Sequence, residues 1–215
     1  MLSDPNNLNP ATDIDLGRIQ QKKVKQFVQE HQLYRLQDFA QLKSFSKNDP
    51  AIGQFHHHTK TFLVEENIEK VWKIYKSLPP KDAWNGSILS FGFQYSKSRN
   101  KLSYIDDPYN GIEEGDIVFI HVAFLGGLAK LAVGHEVTAV NEQEKYIETC
   151  YLLFGKAAGT QQMRLKATQE GYTEITHHTI YKSDSSFRDK VLYPFLHTQA
   201  ISEFHGNIRR AILST

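Results

Sequence analysis

Between Ser87 and Ser183 the sequence is cut into strand-length pieces by turn-forming residues, and this punctuation limits the chain more than any other feature. Strand candidates fall at about 87–97, 115–125, 131–141, 145–155, 160–169 and 172–183. The separators include Gly126–Gly127, Asn141–Lys145, Gly155–Gly159 and Gln169–Gly171. Connections this short force neighbouring strands to run antiparallel, which predicts a meander. One more strand is predicted at His56–Val64, from its β-branched and aromatic content.

Helical spacing brackets the meander. Ile68, Val71, Trp72 and Tyr75 recur at i, i+3, i+4 and i+7, with Asn67 placed to cap the helix and Glu69 suiting its positive pole. Lys70 occupies the third helical position, so no capping box is expected, and Pro79–Pro80 stops the helix. Ser186–Leu213 reads as the longest helix. Its stripe is Phe187, Val191, Phe195, Phe204, Ile208 and Ile212, Ser186 and Asp189 resemble a cap, and Pro194 should kink or split it. Residues 1–16 read as a loose tail. Leu16, Ile19, Val24, Phe27, Val28, Leu33 and Leu36 predict an amphipathic helical stretch over about 17–45, broken near His31. The expected organisation is an N-terminal helical extension, 1–53, packed on a main body at 54–215.

Composition narrows the class. The chain has 215 residues, with Lys and Arg at 25 against Asp and Glu at 24, a net charge of +1. That balance argues against a nucleic-acid binder working by bulk charge and against a polybasic membrane anchor. A 40% hydrophobic share suits a globular fold. The lone Cys150 excludes an internal disulfide and any multi-cysteine zinc site. No Lys or Arg precedes Arg18 and no apolar core follows the start, so no secretory signal is read. The most apolar run, Ile117–Ala129, is interrupted by His121, Gly126 and Gly127 and falls short of the roughly 20 residues that span a bilayer. The expectation is a soluble, cytoplasmic protein with no nucleic-acid partner and no membrane insertion.

The order strand, helix, short second helix, six strands, long C-terminal helix resembles the START-like superfamily over about residues 55–213. That group includes birch-pollen-allergen proteins, lipid-transfer domains and aromatic polyketide cyclases. Gly115–Asp116, Tyr151–Gly155, Gly159–Gln162 and the ending EFHGNIRRAIL are similar to an uncharacterised bacterial family within it. The resemblance implies an α+β helix-grip fold: a curved antiparallel sheet of about seven strands around the C-terminal helix, with a cavity between them. It further implies a small hydrophobic ligand, lipid-like or aromatic, and no cofactor. Two other readings stay open. One is a cyclase- or hydrolase-like enzyme in the same cavity. The other is an interaction module whose N-terminal helices bind a partner or close a homodimer.

Physical reasoning also leads to a cavity, because a straight helix laid on a curved sheet cannot touch it everywhere. Strand alternation nominates its lining. Phe91, Phe93 and Tyr95 share an apolar phase with Leu89. Phe119 and His121 share one face, and so do Ile175 and His177. His135 and Met163 lie in apolar phases of their strands, and Phe195 belongs to the helix stripe. His121 and His135 are the informative ones, since a buried imidazole needs a hydrogen-bond partner.

Chemical motifs are sparse. His121, His135 and His177 could converge, but zinc spacings are absent and no metal is expected. The His56–His58 run reads as polarity on an edge strand. Gly-x-Ser-x-Gly is missing, and Cys150 reads as a packing residue in mid-strand. GKAAGT at 155–160 lacks the Walker spacing and reads as a hairpin turn, and 106–116 reads as a mouth over the cavity. Glu148 and Glu174, with Tyr151, are acid–base candidates, although both carboxylates are expected to face solvent.

Overall fold

The structure, a computed structural model, describes residues 12–46, 48–155, 157–183, 185 and 188–215, without the side chains of 188 and 191. Eight strands form one sheet: β1 His56–Val64, β2 Leu89–Ser96, β3 Lys101–Ser103, β4 Asp116–Phe124, β5 Ala129–Asn141, β6 Tyr146–Tyr151, β7 Ala157–Ala167 and β8 Thr173–Ser183. Their order is β1-β8-β7-β6-β5-β4-β2-β3, and every pairing is antiparallel. The sheet is curved, and the fold is a helix grip. The sequence pattern predicts seven strands and does not show the eighth, β3. It is three residues long, too short to show a period, and it pairs only with the end of β2.

The helices are α1 Lys22–Glu30, α2 Leu36–Ala40, α3 Ile68–Ser77, α4 Pro80–Ala83 and α5 Tyr193–Leu213. Asn67 caps α3 as expected, its side chain accepting from the Lys70 N–H at 2.9 Å. Pro194 falls in the first turn of α5, where its missing N–H costs no bond, and a π-helical turn at Arg188–Leu192 precedes it. The helix is thus split just ahead of the proline. Ser186 and Phe187 lie outside the described residues, so the expected cap and the first stripe position fall there too.

The inner face and the β2–β4 end of the outer face are apolar, and each is covered by a different part of the chain, whereas the outer face of β7 and β8 carries polar residues such as Arg164, Lys166 and Glu174. The inner face meets α3, α4 and α5 through Trp72, Ile120, Ile147, Leu165, Ile175, Phe204 and Ile208. The outer face meets the N-terminal segment. There Ile19, Val24, Phe27, Val28 and Phe39 bury against Phe93, Tyr95, Ile117 and Phe119. The helical stretch breaks after Glu30, as expected near His31, and Gln32 takes a positive φ of 54° at the break.

A bulge in β2 decides which residues meet which cover. Phe91 pairs with Ile120, but the next paired residue, Phe93, meets Phe119, so Gly92 is extra. A Cβ on Gly92 would lie 2.8 Å from the Phe119 carbonyl oxygen and 2.9 Å from Val24 Cγ1, so the position needs glycine. Past the bulge the alternation reverses. Leu89 points inward, while Phe93 and Tyr95 point outward.

Polar contacts fix α5 along the sheet. The Glu203 carboxylate accepts from the backbone N–H groups of Ser87, Ile88 and Leu89, at 2.7 to 3.2 Å. Asn207 Nδ2 donates to the carbonyls of Ala83 and Asn85. Both residues therefore tie the helix to the α4–β2 connection.

Phe39 is fully buried against the rings of Phe93 and Tyr95, at 5.7 and 5.5 Å between centroids. Phe39→Ala is expected to lower the urea-unfolding free energy by about 3–5 kcal/mol. Phe195→Ala, at a side chain 58% exposed, should change it by less than about 0.5 kcal/mol.

Candidate ligand-binding cavity

Between the inner face and α5 lies a cavity of about 70 Å³. Its apolar wall includes Trp84, Val118, Ile147, Met163, Phe204 and Ile208. The 104–115 connection contributes Tyr109 and Ile112, and the Ile112 N–H donates to the Lys76 carbonyl at 2.9 Å, which fixes the connection to the end of α3. Gln94 and Asp116 add polar groups near that connection, and burial raises the Asp116 carboxyl above its usual range.

The opposite wall is a connected set of polar side chains. Gln161 Nε2 lies 2.8 Å from His135 Nε2 and donates to the Tyr151 hydroxyl at 3.0 Å. Gln161 Oε1 lies 2.9 Å from His177 Nε2. His177 Nδ1 continues to His205 Nε2 at 2.8 Å, and His205 Nδ1 to the Tyr75 hydroxyl at 2.5 Å. At the other end the Tyr151 and Tyr193 hydroxyls are hydrogen-bonded to each other. Tyr193 stacks on Tyr181 at 3.6 Å between centroids and on His197 at 4.9 Å. Seven side chains from α3, β5, β6, β7, β8 and α5 thus share one hydrogen-bond chain. Four of them, Tyr75, His135, Gln161 and His177, line the cavity.

Burial keeps the chain uncharged at neutral pH. It pushes His135 down to about 4 and His205 down to about 3, and holds His177 and His197 well below the usual histidine range. It pushes the Tyr151 phenol up to about 12. A set of neutral, hydrogen-bonded groups can orient a polar ligand atom without bringing a net charge into the core.

The residues nominated from sequence fall into four places. His135, Met163 and His177 line the cavity. Phe91 and Ile175 are buried at inner-face register positions beside it, paired with Ile120 and with Phe62 and Leu165, but are not among its lining residues. Phe93, Tyr95, Phe119 and His121 lie on the outer face: the three rings under the N-terminal segment, and His121 half-exposed near Lys23 and Lys130. The Gly92 bulge moves Phe93 and Tyr95 there, and the register of β4, apolar on both faces, puts Phe119 and His121 there. Phe195 is exposed in the first turn of α5.

Sequence reasoning missed Trp84, Tyr75, Gln161 and His205 as site residues. Two of them left a signal. Gln161 is a polar residue in the apolar phase that holds Met163 and Leu165, and His205 interrupts the Ile201–Phe204–Ile208 face of α5. Glu148 corrects another expectation: it is buried rather than solvent-facing, because Tyr146, Gln162 and Thr138 donate to its carboxylate. Glu174 is exposed. Cys150 is buried and its thiol is pushed up, chiefly by burial, as suits a packing residue. Among the described residues, no group of three or more His, Cys, Asp or Glu is placed to hold a metal, and no helix is long and apolar enough to cross a membrane.

This architecture is that of the START-like, birch-pollen-allergen type of helix-grip fold. Major latex-like protein 151 from Panax ginseng superposes with a TM-score of 0.53 at 8% identity, over 73% of this chain and 97% of its own. A norcoclaurine synthase point mutant from Thalictrum flavum, solved with a transition-state analogue, gives 0.54 at 14% identity, over 74% and 95%. A START superfamily protein from Mycobacterium smegmatis gives 0.51 at 15% identity, over 74% and 98%. The sequence matches no family model and no curated protein.

The buried histidines set a pH dependence. An unfolded histidine titrates near 6.5, and these titrate lower in the fold, so their contribution to stability is complete above pH 6.5 and is lost as pH falls toward 4 and 3. Each costs about 1.4 kcal/mol per pH unit in that window. Urea midpoints should therefore fall steeply from pH 7 to pH 5, and a flat profile would show that the four imidazoles are not buried as neutral groups.

Proposed function

We propose that the protein binds a small, neutral, largely apolar molecule in the cavity between the sheet and α5. The observation that supports this is the pairing of one apolar wall, Trp84, Ile147, Met163 and Phe204, with one hydrogen-bonded polar wall, His135–Gln161–His177. A solid core has no need of a buried polar chain, and burying one without use is costly. Ligand sites are commonly of this kind, mostly apolar with a few convergent polar groups. At about 70 Å³ the cavity is about half the roughly 150 Å³ that holds a benzene ring, so a molecule of one small ring enters only if the walls move, and a full lipid chain does not fit. Trp84, Tyr109 and Ile112 line the cavity and are half-exposed, so they are wall residues with room to shift.

Met163 is one of only two methionines, the other being Met1, so its methyl signal can be followed by NMR without ambiguity. Titration with a panel of small neutral cyclic compounds should shift that signal saturably for at least one of them. Val118→Phe, which adds bulk to the wall, should weaken the same binding at least tenfold. A Met163 signal that no compound moves up to its solubility limit would rule out the cavity as a binding site.

A further inference from the structure

Tyr75, His205, His177, Gln161, His135, Tyr151 and Tyr193 form a chain whose proton positions follow from one another. Gln161 Nε2 has two N–H groups and two neighbours, His135 Nε2 and the Tyr151 oxygen, so both neighbours accept. Gln161 Oε1 can only accept, so His177 donates from Nε2–H. His177 is neutral, so its Nδ1 accepts, and His205 must donate from Nε2–H. His205 Nδ1 then accepts from the Tyr75 hydroxyl. Tyr151, having accepted from Gln161, donates to Tyr193. The one hydroxyl proton left over falls on Tyr193, the less buried of the two end tyrosines. With Gln161 turned over, every bond reverses and the leftover proton falls on Tyr75 in the buried core.

The consequence for His135 is specific. Its Nε2 accepts, so as a neutral imidazole it carries its proton on Nδ1. That Nδ1 has no partner among the described residues, and the residue lines the cavity while only 7% exposed. The atom keeps some accessible surface, so an acceptor in the cavity can reach it and complete its hydrogen bonding. Resting on the cavity-binding reading above, we infer that the ligand bears a hydrogen-bond acceptor oxygen, of the carbonyl class, and that His135 donates to it from Nδ1–H. His135 is then a specificity residue, and Gln161 is a positioning residue that fixes its tautomer. A ligand with only a donor, or with a cationic head, meets the hydrogen of His135 and is disfavoured.

Two measurements test this. Imidazole ¹⁵N correlation spectra at pH 7 should show His135 protonated at Nδ1, and His177 and His205 protonated at Nε2. His135 protonated at Nε2 would overturn the inference without any ligand being needed. In the second, cyclohexanone is compared with methylcyclohexane, and benzaldehyde with toluene, through the Met163 methyl signal. Each carbonyl compound should bind about tenfold more tightly than its hydrocarbon partner, the effect of one buried hydrogen bond. In His135→Phe the ratio should drop to below about twofold while hydrocarbon binding persists. Gln161→Leu should also reduce the ratio and give mixed His135 tautomers. Equal binding within each pair would overturn the acceptor inference and leave cavity binding standing. Binding by none of the four, in a protein whose tautomers are as stated, would overturn the cavity reading and this inference with it.

Discussion

A sheet that is apolar on its inner face and at the β2–β4 end of its outer face has to be covered twice, and the rest of the molecule is arranged to do so. Either cover alone would leave large aromatic or aliphatic side chains in water. The outer face carries Phe93, Tyr95 and Phe119, and the inner face carries Ile120, Ile147 and Leu165. The N-terminal segment is therefore integral to the fold, since its Val24, Phe27 and Phe39 occupy the outer surface. That also explains its amphipathic pattern, which in isolation reads equally well as a surface for a partner.

The two interfaces differ in chemistry. The outer one is closed by interlocking rings, with Phe93 and Phe119 stacked at 4.3 Å and Phe39 set edge-on to both. The inner one is divided. Towards α3 and the end of α5 it is apolar, whereas near His135 and His177 a chain of imidazoles, an amide and phenols replaces hydrocarbon. Such groups are tolerated in a core only when they satisfy each other, and here each bond determines the next. Selection for stability alone gives no reason to prefer this chain to leucines. Its position beside a cavity is the reason to connect it with a ligand.

The fixed polarity of that chain has a structural origin. Its members come from six elements, the consecutive strands β5 to β8 together with α3 and α5, and α5 carries both His205 and Tyr193. The position of α5 is held by Glu203 and Asn207, which flank His205 in sequence and bond to the α4–β2 connection. A shift of α5 along the sheet would move His205 relative to both His177 and Tyr75. The polar ties of the helix and the geometry of the cavity wall are therefore mechanically linked.

The sequence by itself determined the antiparallel meander, the capped helix after the first strand, the long C-terminal helix and the fold class, because turn residues and hydrophobic period act over a few residues. It also marked His135 and His177 as polar residues in apolar phases. It did not reveal β3, which is too short to show a period. It did not settle the register of β4, which is apolar on either face. The direction of Phe93 and Tyr95 turned on one bulge, and the isolated Gly92 was its only trace in the sequence. The partnership of His135, Gln161, His177 and His205 was decided by tertiary structure alone. Local pattern can say that each needs a hydrogen-bond partner, but only the order and curvature of the strands bring His135, Gln161 and His177 within 3 Å of one another, and only the packing of α5 on the sheet brings His205 to His177.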